Sequence, residues 1–236
     1  MKREVGAVAL GRFLGLAFGI SWLFWLPLVL LGWDATSLPG VFLLVAGGLG
    51  PAAAELILIL RAAPEARHDY WQRLTDVRRI DWRWGAAALL LVPALTVLAL
   101  IWDGLLNGNL PQLENARSLM AEPWRFVVFA SFIFFFGPVP EELGWRGYAL
   151  DGLQARFAPL PASLVLGSLW MVWHLPLFLM NGTFQQALGV GTLQFWWFVA
   201  GTVLGSILYT WLYNNTGRST LIAIFFTFPP ILPVNF

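Results

Sequence analysis

Seven stretches of this chain, at residues 10–33, 39–61, 84–106, 124–153, 160–180, 189–213 and 219–235, are mostly apolar. Each approaches or exceeds the roughly 20 residues that a helix needs to cross a bilayer. In hydrocarbon every backbone amide must find its partner within the protein, so runs of this length form helices. The chain therefore reads as an all-α, polytopic helical membrane protein with about seven transmembrane helices, built as one integral membrane domain over residues 1–236. Only 11% of its residues are charged, against about 25% in an ordinary soluble domain. A net charge of +1 gives no electrostatic case for a nucleic-acid partner. The absence of cysteine removes disulfides and thiolate metal sites. The first apolar run, Phe13 to Trp33, is too long for a signal-peptide core and reads as a span.

Most of the positive charge falls on one side; the opposite connections hold Asp34, the mixed-charge segment 103–125 and the uncharged 181–188. Lys2, Arg3 and Arg12 precede or open the first run. Arg61, Arg67, Arg73, Arg78, Arg79 and Arg83 separate the second and third. Arg156 follows the fourth, and Arg218 separates the sixth and seventh. Seven alternating spans put all of these on one side, and the positive-inside rule makes that side cytoplasmic, with the N-terminus. The polar connections, 60–84, 107–123, 181–186 and 213–219, read as loops. No internal repeat is visible, so an inverted-repeat transporter gains no support.

Against this background PEELGWRGYAL, residues 140–150, stands out. Carboxylates within a membrane segment are costly and face a protein interior or a water-filled cavity. Glu142 and Arg146 are i,i+4 neighbours and can pair along one helix face. Glu141 lies about 100° around the helix, without a local partner. One glutamate can thus be neutralised while its neighbour stays free to act as a general base. The plainer reading is an ion pair at the cytoplasmic helix end, with Glu141 reaching to water. Gly144 and Gly147 leave room for a neighbouring helix. Pro138 and Pro140 break the long fourth run.

His174, in LWMVWHLPLF, is the other polar group at span depth. Trp170 lies four residues back on the same face. Pro176 has no N–H, so the Val172 carbonyl loses its helical partner and the helix is expected to bend. A packed histidine satisfied by one hydrogen bond is the plainer alternative. Glu55 reads as structural, and His68 as solvated.

The pattern Glu141-Glu142-x-x-x-Arg146, followed by Gly147-Tyr148, resembles the first motif of the CPBP intramembrane proteases, which include the type II CAAX prenyl proteases and the bacteriocin-processing and immunity (Abi) proteins. Trp170-x-x-x-His174 resembles the family's second motif, Phe-x-x-x-His, with Trp in the Phe place. The resemblance spans about 120–226, a protease-like core. It implies that Glu141 activates the attacking water, that Glu142 and Arg146 shape the site, and that His174, with Glu141, binds that water or a metal, commonly assigned as zinc or another divalent ion. It also implies a protein or peptide substrate, prenylated ones included, cut near the cytoplasmic leaflet, and a setting in the bilayer of a bacterial plasma membrane. The family's last motif, His-x-x-x-Asn or His-x-x-x-Asp, has no counterpart: its places fall on Thr227 and Ile231. The tail FTFPPILPVNF is too proline-rich to continue a helix. Three readings follow: an intramembrane endopeptidase; a catalytically inactive member that acts by binding, as in bacteriocin immunity; and a proton-coupled carrier that uses Glu55, Glu141 and His174.

Overall fold

The structure, a computed structural model, describes residues 2–108 and 122–227. The segment 109–121, the proline-rich end from residue 228, and Ile231 with it, lie outside the described residues. The described chain forms helices α1 (Lys2–Leu31), α2 (Leu38–Gly48), α3 (Gly50–Ile59), α4 (Pro64–Thr75), α5 (Trp82–Asn107), α6 (Pro123–Phe136), α7 (Pro138–Gly144), α8 (Leu150–Gln154), α9 (Pro159–His174), α10 (Phe184–Leu188), α11 (Leu193–Asn215) and α12 (Thr220–Thr227). A π-helical turn, Trp145–Ala149, joins α7 to α8, and a 3-10 turn, Leu175–Leu179, follows α9.

Local chemistry sets many of these boundaries. Pro64, Pro123, Pro138 and Pro159 open their helices, where the missing N–H costs nothing. Side chains of Ser37, Asp81 and Thr192 accept the free N–H groups of Gly40, Arg83 and Phe195. Gly108, at φ +69, ends α5 in the left-handed conformation that glycine adopts without strain.

Five helical stretches are long and apolar enough to cross a membrane: Ala9–Leu31, Trp82–Leu106, Pro123–Gln154, Pro159–Leu179 and Leu193–Asn215. A sixth forms if α2 and α3, bent by 41° at their junction, count as one. The count of about seven is therefore five or six among the described residues, because α12 has only eight described residues. The stretch 60–84 is not merely a loop but contains α4. The break expected in the fourth run falls at Gly137, just before Pro138 starts a new helix, whereas Pro140 lies inside that helix.

Pro159–Leu179 is the central span, with 61% of its most apolar stretch buried, against 6% for Trp82–Leu106. Gly167 lets α9 meet α11: a Cβ there would lie 2.8 Å from the Val203 Cα. Gly144 does the same for α7 against α3, where a Cβ would lie 2.6 Å from the Pro51 Cβ. The room expected at Gly144 is thus occupied by a helix. Gly147 faces Tyr70 of α4.

The arginine-bearing segments do converge on one end of the bundle. Arg73 of α4 reaches Asp151 of α8 at 2.9 Å and the Tyr213 hydroxyl at 2.6 Å. Arg218 pairs with the same Asp151 and lies 3.4 Å from Asp69. Desolvation works against the Arg218 charge, but Asp151 and Asp69 more than offset it and raise its pKa. Arg79 donates to the Gly217 carbonyl at 2.6 Å. At the opposite end Ala35 N–H donates to Asn181 O at 2.8 Å, and the Asn181 side-chain amide donates to Gly32 O at 3.1 Å.

The natural lack of cysteine makes these two ends directly testable. An impermeant maleimide is expected to reach Gln186→Cys and Arg78→Cys from opposite sides of the membrane, one in intact cells and the other only after permeabilisation. Labelling of both from the same side would contradict the two-ended arrangement.

Candidate active site

The residues around Glu142 are assembled from five elements. Glu142 lies on α7, and Arg146 follows in the π-helical turn, where the Leu150 N–H reaches back to the Trp145 carbonyl. Such widened turns recur at functional sites. Both side chains are fully buried, and Arg146 Nη1 donates to Glu142 Oε1 at 2.8 Å. The ion pair at i,i+4 is therefore present and interior, not at a solvated helix end.

The guanidinium is held from both neighbouring spans. Its carbon lies 4.5 Å from the Trp170 ring centroid on α9 and 4.0 Å from that of Tyr209 on α11. Both are within cation–π range. Nη2 reaches Ser206 Oγ at 3.4 Å. On the carboxylate side, the Thr227 hydroxyl of α12 lies 2.8 Å from Glu142 Oε1 and 2.8 Å from the Ala223 carbonyl, and can donate to either. Glu142 Oε2 and Arg146 Nε have no hydrogen-bond partner among the described residues.

Glu141 takes a different path. It is half-buried, and its Oε2 accepts a hydrogen bond of 2.7 Å from the Trp170 indole N–H. His174 is buried, and its Nδ1 lies 2.7 Å from the Trp170 carbonyl oxygen. A carbonyl can only accept, so Nδ1 carries the proton and Nε2 keeps its lone pair. Trp170 therefore ties both residues to one position: its side chain to Glu141 and its backbone to His174. The bend expected at Pro176 takes the form of a tightened turn, in which the Leu175 N–H bonds the Val172 carbonyl.

Glu141 and His174 line the same cavity, of about 340 Å³. Its walls are mostly apolar, with Trp25, Phe132, Phe136 and Leu177 among them. Gly182, Thr183, Phe184 and Gln185 also line it. These belong to the end where Asn181 meets Gly32, away from the arginine cluster. Access near the arginine-bearing leaflet, as the sequence suggested, is not what this lining provides.

The structure gathers Glu141, Glu142, Arg146 and His174, the residues singled out in the sequence, around Trp170. It places Thr227, at the position of the missing histidine, against Glu142. Glu55 is buried elsewhere, beside Tyr70 and within the field of Arg73. Ser206 and Tyr209 were missed, although Ser206, Tyr209, Thr210 and Tyr213 recur at i, i+3, i+4 and i+7 along an otherwise apolar helix, a readable polar stripe.

Among the described residues, the donor set falls short of the zinc site that the resemblance implied. No group of three or more His, Asp or Glu side chains able to hold a metal occurs among the described residues. A catalytic zinc usually takes three protein ligands, and the cavity offers at most two, Glu141 and His174.

These features are those of a buried polar site in a helical membrane bundle, with one carboxylate neutralised and a second facing a cavity. The comparisons agree with that class. A family model described as type II CAAX prenyl endopeptidase, Rce1-like, matches residues 123–228, the stretch from α6 to just past α12. CAAX prenyl protease 2 of Methanococcus maripaludis is 27% identical over 221 residues, which cover 89% of this chain and 78% of that protein. Both matches agree with the resemblance drawn from the two motifs: this chain is similar to the CAAX prenyl endopeptidases.

The Trp170 contact is open to a direct check. In infrared spectra, with the Glu141 carboxyl band assigned by its loss in Glu141→Gln, Trp170→Phe is expected to shift that band while the protein stays folded. An unshifted band would show that the indole does not hold Glu141.

Proposed function

We propose that this protein is an intramembrane endopeptidase in which Glu141 is the general base. The observation that carries the reading is that Glu141 and His174 share one cavity, while the adjacent Glu142 is committed to Arg146. A water in that cavity would give a proton to the Glu141 carboxylate as its oxygen attacks the carbonyl carbon of the scissile peptide. Collapse of the tetrahedral intermediate would break the C–N bond, and the proton held by Glu141 would pass to the leaving amine. His174 Nε2, with its lone pair available, would accept a hydrogen bond from the same water and orient it. Proximity and orientation of this kind supply much of an enzyme's rate gain.

The apolar walls suit a substrate segment embedded in the bilayer. The names of the relatives extend this to a prenylated protein tail, the substrate class we infer. The arginine-rich connections support a cytoplasmic N-terminus, in a bacterial plasma membrane. With that orientation, the cavity is lined from the half of the membrane away from the cytoplasm.

A second reading is favoured by one contact. Thr227 meets Glu142 where the family motif has a histidine, and a threonine hydroxyl engaged by Glu142 or Ala223 is a poor donor to an oxyanion. Loss of one such donor can cost about 10²–10³-fold in rate. A non-catalytic member that binds membrane proteins would keep this fold and lose the chemistry.

A prenylated CAAX-type peptide incubated with the purified protein separates the two. Under the protease reading, Glu141→Gln lowers cleavage by about 10²–10⁴-fold, the usual worth of a general base, with no comparable loss of stability. Absence of cleavage by the unaltered protein, or cleavage unchanged by Glu141→Gln, would contradict the assignment.

A further inference from the structure

A second cavity lies between α1 and the end of α3, apart from the site of Glu141. Arg12 and Arg61 both line it, together with Leu16, Leu58 and Tyr148, and its volume is about 690 Å³. Both arginines are exposed, and neither has an ion pair or side-chain hydrogen bond among the described residues. Glu55, whose field also reaches Tyr148, is turned to Tyr70 and Arg73 and does not neutralise them.

Position decides what such a cavity can take. Arg12 falls three residues into the apolar stretch Ala9–Leu31, and Arg61 lies two residues past the end of α3 at Ile59. The two guanidinium groups therefore stand at the boundary between hydrocarbon and water. Tyr148 is fixed as part of the wall by stacking on Phe13, with ring centroids 5.4 Å apart. Gly15 lines the cavity and Gly19 follows one turn deeper along α1, and a Cβ at either would meet nothing within 4 Å. A shallow open groove thus runs down the helix from the arginines. Cationic forks at the boundary and a smooth apolar groove below match an amphipathic anion, and arginine pairs suit phosphate through parallel N–H donors.

We propose that the Arg12–Arg61 cavity binds the headgroup phosphate of an anionic phospholipid, with an acyl chain lying along the glycine face of α1. Basic pockets between membrane helices recognise such headgroups. The bound lipid would bridge α1 and α3, whose inner faces pack around the fourth span, and would stabilise the folded bundle independently of any catalytic activity.

The test uses the purified full chain in mild detergent, titrated with phosphatidylglycerol, phosphatidylcholine or glycerol phosphate. Bound lipid is counted by native mass spectrometry, and unfolding midpoints are followed. Phosphatidylglycerol is expected to bind about 10-fold more tightly than phosphatidylcholine, in keeping with the strength of charge-assisted contacts. Arg12→Gln with Arg61→Gln should erase that preference. Arg67→Gln with Arg78→Gln, which removes the same charge from the same end, should keep it. Equal loss in both pairs would mean diffuse surface attraction and would overturn the site. So would equal stabilisation by glycerol phosphate, which would mean a soluble anion, or the absence of any preference for the anionic lipid. Should the glutamine pair fail to fold, Arg12→Lys with Arg61→Lys keeps the charge without the planar fork. It is expected to weaken the preference, and a fully retained preference would contradict recognition by the fork.

Discussion

The ion pair between Glu142 and Arg146 is the constraint on which the central part of this structure depends. Two charges withdrawn completely from water each carry a desolvation cost of several kcal/mol even after relaxation. Their attraction offsets this only with close geometry and further partners. The fold supplies both. The contact is 2.8 Å, Trp170 and Tyr209 cover the guanidinium, Ser206 extends the network, and Thr227 approaches the carboxylate. Those partners come from α9, α11 and α12, so satisfying one ion pair docks three helices around the fourth span.

The same pair explains how two adjacent glutamates differ. Consecutive residues on a helix point about 100° apart. Once Glu142 faces Arg146, Glu141 must face elsewhere, and it meets the Trp170 indole and the cavity. Trp170 then has two roles. Its ring covers Arg146, while its N–H and carbonyl hold Glu141 and His174. A phenylalanine, the residue of the family motif, could provide the ring but not the N–H. This chain therefore couples its paired and unpaired carboxylates through one side chain.

Much of this was legible in the sequence, because membrane chains expose their logic in composition. The all-helical class follows from the apolar runs. The i,i+4 pairing follows from the spacing of Glu142 and Arg146, and the common environment of Glu141 and His174 from the motif order. The shared end of the arginine segments followed from charge counting, and the Arg73–Asp151–Arg218 cluster realises it. Other features were hidden for physical reasons. Hydropathy reads the apolar run at 39–61 as one span, but not the 41° bend between α2 and α3. The polarity of 60–84 masked α4, whose buried Arg73 is satisfied only by residues distant in sequence. The contact of Thr227 with Glu142 is tertiary, and only the motif count hinted at that position. Ser206 and Tyr209 carried a helical stripe, which apolar bulk on the same helix made easy to overlook.

The central claim is that Glu142 and Arg146 act as one buried unit. A double-mutant cycle of Glu142→Gln and Arg146→Met, read as unfolding free energy in a single lipid–detergent mixture, tests it most directly. Breaking a buried pair from one side typically costs about 3–5 kcal/mol. The account predicts that each single change is strongly destabilising and that the double change costs far less than their sum, with a coupling above about 1.5 kcal/mol. Single effects that add to within about 0.5 kcal/mol would mean that the two charges do not depend on each other, and the account would fail.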